Sequence, residues 1–352
     1  MIDVFYRVKA LHESGVKIHL HCFEYGRGEQ SVLNKYCFEV NYYKRSTGWK
    51  GFSLRLPYIV NSRVNKKLSH NLLKDEHPVL LEGIHCTYYL FTDELKNKKV
   101  FVRLHNLEFE YYHQLAKNQS SFFKKVYYRN ESNLLKKYEK VIAGKTTLLA
   151  ITQKDVERYK TIFAATDINY LPVFLPYSSV SCREGSGNYC LYHGNLSIAE
   201  NEKAAVWLCE IFKGLNIPLI IAGKNPSNQL MNTAQQNKNI SLISNPSEGK
   251  MNELINDAQI NILPSFNSSG IKIKLLNALF IGRHCIVNDA TVSETGLESL
   301  CHLAETEEEF KDAIKQLFDE PFAANEIEQR NQLLKKEFNN KTNSELLMQW
   351  IY

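Results

Sequence analysis

Residues 258–289 read AQINILPSFNSSGIKIKLLNALFIGRHCIVND, and this stretch decides the fold. Residues 259–263 form a short apolar run closed by Pro264, the pattern of a buried parallel strand. A polar loop follows over 265–270. From Ile271 the apolar residues fall at Ile271, Leu275, Ala278 and Leu279, the spacing of a helix lying on a sheet. Gly282 ends that helix, and 285–287 begins another strand. The loop therefore sits at the carboxyl end of a strand, where open α/β sheets bind their ligands. Ser268, Ser269 and Gly270 are expected to offer free backbone N–H groups at the helix start, with Lys272 and Lys274 adding positive charge, so an anion is the natural guest. Such a unit is generic on its own, and lysines of a first helical turn are commonly just solvated, so the loop predicts a place more firmly than a ligand.

The same alternation runs outward in both directions. Upstream, strands are predicted at 189–193, 218–222 and 240–243, with helices at 201–212 and after Ser247, whose side chain is placed to cap. Downstream, Thr306 to Glu309 spells a capping box that opens a helix reaching Phe318. The amino-terminal half gives strands at 16–23, 36–42, 79–83, 100–104, 148–152 and 169–175, with helices at 2–12, 61–73 and 107–140. Strands alternating with helices predict an α/β protein with parallel sheets. A length of 352 residues suits two domains. The boundary is predicted in the Ser- and Gly-rich stretch YSSVSCREGSGN: an amino-terminal domain over 1–175, a linker over 176–188, a carboxyl-terminal domain over 189–335 and a last helix over 336–352. The expected architecture is two Rossmann-like domains facing a cleft. Because the chain opens on a helix rather than on a strand and glycine loop, the first strand of the amino-terminal domain is expected to be missing, with roughly 15–25 residues lying upstream.

Composition narrows the function. A net charge of +5 spread over many segments argues against a nucleic-acid binder while allowing loose association with an anionic membrane surface. Eight cysteines without a C-x-x-C pair predict reduced thiols in a cytoplasmic protein, peripheral at the inner membrane face at most. No apolar run approaches the ~20 residues of a membrane span. The motif AGKTT at 143–147 mimics a phosphate loop, but Glu139 stands where its first glycine belongs. His19, His21 and Cys22 lack further ligands at metal spacing, so no metal is expected from them.

Four segments carry a family resemblance: YHGNLSIAENEKAAVWL (192–208), PLIIAGKNP (218–226), ISLISNPSEGKMNELINDAQINILPS (240–265) and GIKIKLLNALFIGRHCIVND (270–289). In this order they resemble the nucleotide-sugar-binding domain of GT-B glycosyltransferases, in particular the family-4 (group 1) enzymes of bacterial surface-polysaccharide synthesis. VFVRLHNLEFEYYHQLAKN (100–118) is similar to the acceptor-side strand and helix of the same group. The resemblance implies transfer of a sugar from a UDP- or GDP-linked donor to a glycan or lipid-linked acceptor, with retention of configuration. It places Gly194, Asn195, Gly223, Lys224, Ser269, Gly270, Lys272, Lys274 and Asn277 on the donor side. His105 becomes the catalytic candidate, with Arg103, Asn106, Glu108 and His85 on the acceptor side and Glu82 or Glu108 as the base if the reaction inverted. No D-x-D motif occurs, so neither a metal nor any other cofactor is expected. The family's paired glutamates, spaced E-x7-E, align with Ser269 and Asn277, and its loop Arg and Lys align with Asn195 and Asn201. Lys224, Lys272 and Lys274 are left to neutralise a diphosphate. These departures keep a second reading open, a non-catalytic GT-B-like protein that binds nucleotide sugars.

Overall fold

The computed structural model describes residues 2–26, 28–117, 119, 121–267 and 270–352. The chain divides into two compact units, Met1–Pro176 with Phe338–Tyr352, and Tyr177–Glu337.

In the first unit, β1 (His19–Phe23) and β2 (Glu39–Tyr43) pair in parallel as a two-stranded sheet. A separate parallel sheet has the order β3 (Val79–Glu82), β4 (Val100–Leu104), β5 (Thr147–Ala150), β6 (Ile168–Tyr170). Val102, Leu104, Leu148 and Ala150 point one way into a core shared with Leu135, Ile142 and Tyr159. Phe101 and Leu149, one residue out of phase, face the other way and pack with Ala10, Leu11, Phe174 and Leu347. This two-sided burial is what a parallel sheet requires, and it is why the last helix, Asn340–Ile351, belongs to this unit. Asn340 locks it there, its side chain accepting from Leu175 N at 3.1 Å and donating to Leu175 O at 2.7 Å.

Two predicted helices are each broken in two, and a predicted strand ends early. The helix predicted over 61–73 is two pieces, Tyr58–Asn61 and Lys66–Leu72, because Asn65 caps the second by accepting from Lys67 N and Leu68 N. The helical region at 107–140 is likewise Glu108–Lys117 and then Phe122–Ala143. The strand predicted at 169–175 stops at Tyr170, and Pro172 has no N–H to continue the ladder.

In the second unit one parallel sheet holds β7 (Cys190–Asn195), β8 (Leu219–Lys224), β9 (Ile240–Ser244), β10 (Ile260–Ile262), β11 (His284–Val287) and β12 (His302–Leu303), in the spatial order β12, β11, β10, β7, β8, β9. The chain winds outward from β7 to β9, returns to β10 beside β7, and winds out the other way. The reversal between β7 and β10 is the topological switch point, so the loops after these two strands flank the crevice where such sheets take ligands. The expected α/β architecture with parallel sheets is thus the observed one, and the short edge strand β12 is the strand the sequence pattern did not reveal. The capping box is present as read: Thr306 Oγ1 accepts from Glu309 N, and the Glu309 carboxylate accepts from Thr306 N. All eight cysteines are free thiols. Among the described residues no helix is long and apolar enough to cross a membrane.

Candidate active site

In the second unit, the glycines predicted on the donor side let two strand ends come together. β7 and β8 place Gly194 beside Gly223 and Asn195 beside Lys224. A Cβ added at Gly223 would stand 2.0 Å from the Gly194 carbonyl oxygen and 2.8 Å from Leu196 Cγ, so only glycine fits. Asn195 turns its side chain back on its own loop, accepting from Ser197 N at 3.2 Å and Ser197 Oγ at 2.8 Å. Its carbonyl accepts from Asn201 Nδ2 at 3.0 Å. Both asparagines that stand at the family's Arg and Lys positions therefore shape the loop. Lys224 ends β8 exposed.

Across the switch point, the loop after β10 leads through Gly270, at φ +62°, into the helix Ile273–Ile281, with Lys272 at its N-cap. Ser269 lies outside the described residues. The Lys274 ammonium lies 4.9 Å from the centre of the Tyr192 ring and 3.4 Å from Asn201 Oδ1. Burial, and then the neighbouring charge of Lys272, bring its pKa down to about 8, with Glu200 opposing the shift. Such a lysine sheds little hydration when it meets an anion. Asn277 accepts from Tyr177 Oη at 3.1 Å, and the Tyr177 ring stacks on Phe280 at 4.8 Å between centres. Two residues here escaped the sequence reading. Glu200, in the first turn of the helix Ala199–Phe212, accepts from Ser265 Oγ at 3.1 Å and Asn267 Nδ2 at 3.5 Å. It returns a carboxylate to a loop whose family glutamates are replaced. His193 is buried on β7 with no hydrogen-bond partner at Nε2, and burial followed by Lys274 holds its pKa near 3. An inward histidine on an apolar strand gives no sequence signal.

In the first unit the parallel register of β3 and β4 sets Glu82 beside Arg103, and the chain leaves β4 into His105. His105 Nε2 lies 3.2 Å from Glu82 Oε2, and Arg7 donates to the other oxygen of Glu82. Arg7 also donates to Asp3 Oδ2 at 2.9 Å. Arg103, expected on the acceptor side, is instead fully buried at 0% exposure. It donates to Asp3 Oδ1 at 3.3 Å, to Pro172 O at 2.9 Å and to Leu171 O, so its role is structural. Its place on an inward-facing strand position next to a buried carboxylate explains the difference. Burial is the largest single influence on Asp3 and Glu82 and would raise their pKa values, but Arg7 together with Arg103 and the Phe174 N–H at Asp3, and together with His105 at Glu82, outweighs it, and both carboxyls lie below their ordinary range. Asp3, Glu82 and His105 bring their ligand atoms within 4.8 Å of one another. The two arginines already neutralise these carboxylates, so the group does not call for a metal ion.

His85 follows Gly83, which adopts φ +81°, and a Cβ on that glycine would meet the His85 ring at 2.5 Å. Burial and then Arg63 depress the His85 pKa to about 3, so it is a neutral imidazole. Asn106 hydrogen-bonds Glu108, the first residue of its helix, whose pKa burial raises. Glu139 caps that helix from outside, accepting from Glu108 N and Phe109 N at 3.0 Å each and from Tyr159 Oη at 2.7 Å. Burial pushes its pKa up to about 8. The sequence reading missed Asp3, Arg7 and Glu139, since nothing local marks charged helix residues as buried. His105, Glu82 and Arg7 come together; His85, Asn106 and Glu108 lie on the loops and helix that follow β3 and β4.

Comparison with known proteins agrees with this architecture. Residues 187–320 match the family described as Glycosyl transferases group 1. The chain is 26% identical over 298 residues to an uncharacterised 44.6 kDa protein in the cps region of Klebsiella pneumoniae, covering 79% of this chain and 76% of that protein. Its fold is similar to that of Anabaena Alr3699/HepE, solved with UDP and glucose, with a TM-score of 0.64 at 10% identity over 98% of this chain and 94% of that one. A glycosyltransferase from Rickettsia africae gives a TM-score of 0.63 at 12% identity, covering 98% and 93%. TarM gives 0.63 at 14% identity over 80% of this chain, which spans only 57% of TarM's length. The strand order, the glycine-lined strand ends and the matched residues agree: residues 187–320 are similar to the Glycosyl transferases group 1 family, and the chain shares the fold of these glycosyltransferase structures.

Proposed function

We propose that the chain transfers a sugar from a UDP- or GDP-linked donor to a glycan or lipid-linked acceptor in surface-polysaccharide synthesis, with retention and without a metal ion in the transfer step. The observation that carries this reading is the convergence of Lys272, the half-buried Lys274 and the start of the helix Ile273–Ile281 on the switch point beside the Gly194 and Gly223 strand ends. As the glycosidic bond breaks, negative charge grows on the leaving diphosphate. Cations and backbone N–H groups already in place stabilise that charge without reorganising. Asn277, at the position of the family's second glutamate, is a neutral acceptor for ribose hydroxyls. The family resemblance gives His105, which Glu82 orients, the role of contacting the donor sugar.

The structures of HepE with UDP and glucose, and of S. aureus TarM with UDP and alpha-GlcNAc-glycerol, support a nucleotide donor and a glycan acceptor. The relative from a cps region supports surface polysaccharide. A cytoplasmic chain with loose membrane attachment is consistent with the exposed Phe122 (72%) and Phe123 (85%) next to Lys124 and Lys125. The test is to incubate the purified chain with UDP- and GDP-sugars and with lipid-linked and free glycan acceptors, and to read product mass, anomeric configuration and dependence on added Mg2+ or Mn2+. Transfer with retained configuration, at rates unchanged by added metal, is expected. A nucleotide that binds but is never turned over with any acceptor would leave only the binding reading.

A further inference from the structure

We propose that His284, His302 and Glu326 form a divalent metal site, suited to Zn2+, at the opposite end of the second unit's sheet from the candidate donor loop. Their ligand atoms all lie within 4.8 Å of one another. β11 and β12 pair so that His302 sits beside Ile286, two residues after His284. Side chains two apart on a strand share a face, so His284 and His302 project to the same side, with ring centres 5.5 Å apart. Glu326 arrives from the helix Ala324–Glu337.

The ligand atoms are oriented as metal ligands are. His284 Nε2 lies 2.9 Å from the Glu320 carbonyl oxygen. A carbonyl can only accept, so this nitrogen carries a proton, and in the neutral ring Nδ1 presents its lone pair. That Nδ1 is buried and has no hydrogen-bond partner, in a side chain only 1% exposed. It faces Glu326 Oε1 at 3.5 Å. Zinc held at its usual ligand distances of about 2.0–2.2 Å sets tetrahedral ligand atoms roughly 3.4 Å apart, which this spacing matches. Glu326 is itself positioned, its other oxygen accepting from Ala323 N at 3.0 Å. A backbone carbonyl behind the histidine and a backbone N–H behind the carboxylate are the outer-shell partners that metal ligands ordinarily have. Two histidines and one carboxylate make a zinc-type donor set with a fourth position left for water, and Glu326, at 29% side-chain exposure, gives the ion a way in.

The consequence is structural. β12 is only two residues long and lies at the sheet edge. An ion shared by β11, β12 and the helix Ala324–Glu337 would staple that edge, and metal binding to a folded site adds directly to folding stability.

The test uses the full chain with any affinity tag removed, stripped with a chelator and titrated with Zn2+ by calorimetry and with Co2+ by visible absorption. One saturable equivalent of Zn2+ per chain is expected, together with a rise in melting temperature. His302→Ala and Glu326→Gln should each weaken binding by at least about 10–100-fold, the loss that even an outer-shell partner produces. The Co2+ form of the unaltered chain should show four-coordinate bands without thiolate charge transfer, which reads the site even if a variant folds poorly. No saturable binding, undiminished affinity in both variants, or a thiolate band would each overturn the proposal.

Discussion

His105 Nε2 lies 3.2 Å from Glu82 Oε2, and the remaining oxygen of that carboxylate is held by Arg7. A histidine at the mouth of a strand is thereby fixed in direction by a chain of charges that ends at the buried Asp3. Removing the imidazole should therefore cost chemistry rather than folding. His105→Ala is expected to lower kcat by about 10–100-fold, the worth of one hydrogen bond to a charged group. Its melting temperature should stay close to that of the parent chain. Unaltered kcat would remove His105 from the reaction.

Asp3 is the foundation of this charge chain, accepting from Arg7, Arg103 and Phe174 N. Asp3→Asn leaves the buried Arg103 without its carboxylate partner and Arg7 with Glu82 alone, and should destabilise the protein by about 3–5 kcal/mol. The pH dependence has a definite sign. Because its folded pKa lies below the ordinary 3.8, Asp3 contributes stability that is present above that value and lost as pH falls below it. Denaturant unfolding from pH 7 down to pH 3 should show a slope in the parent chain that is reduced in the variant.

Gly223→Ala tests the strand ends. The new methyl would collide with the Gly194 carbonyl oxygen at 2.0 Å, and that oxygen is backbone. β7 and β8 must move apart, at an overpacking cost of about 1–3 kcal/mol, and nucleotide affinity should fall with stability. Thermal unfolding and nucleotide titration of the same sample measure both.

Lys274 sets a pH limit on anion binding. With its pKa depressed to about 8, it loses its charge as pH rises through that value, well before an ordinary lysine would. Nucleotide affinity should weaken between pH 7 and pH 9. In Lys274→Arg, whose guanidinium stays charged, it should stay flat over the same range. Equal slopes in the two proteins would show that the lysine charge is not used.

Much of the fold was legible because the apolar periodicity of 258–289 and its neighbours is strong. The loop with Gly270 followed from it, while the donor-side placing of Gly194 and Gly223 came from the family resemblance. Residues whose role depends on partners far along the chain were not legible. Arg103 looked like a strand-end cation until Asp3, a hundred residues earlier, took up its guanidinium. Glu200 and Glu139 are ordinary helix residues by sequence and become site residues only when loops fold against them. The two-residue strand β12 carries no periodicity at all, and with it the pairing of His302 with His284 stayed hidden.

The most direct test of the central claim is calorimetric titration of UDP and of GDP into the parent chain and into Lys272→Ala/Lys274→Ala. The account predicts that one of the two nucleotides binds, and that the double variant binds it at least about tenfold more weakly, each lost charge-assisted hydrogen bond being worth about 1.5–3 kcal/mol. Binding of neither nucleotide, or equal affinity in parent and variant, would contradict the placement of the donor diphosphate at this loop.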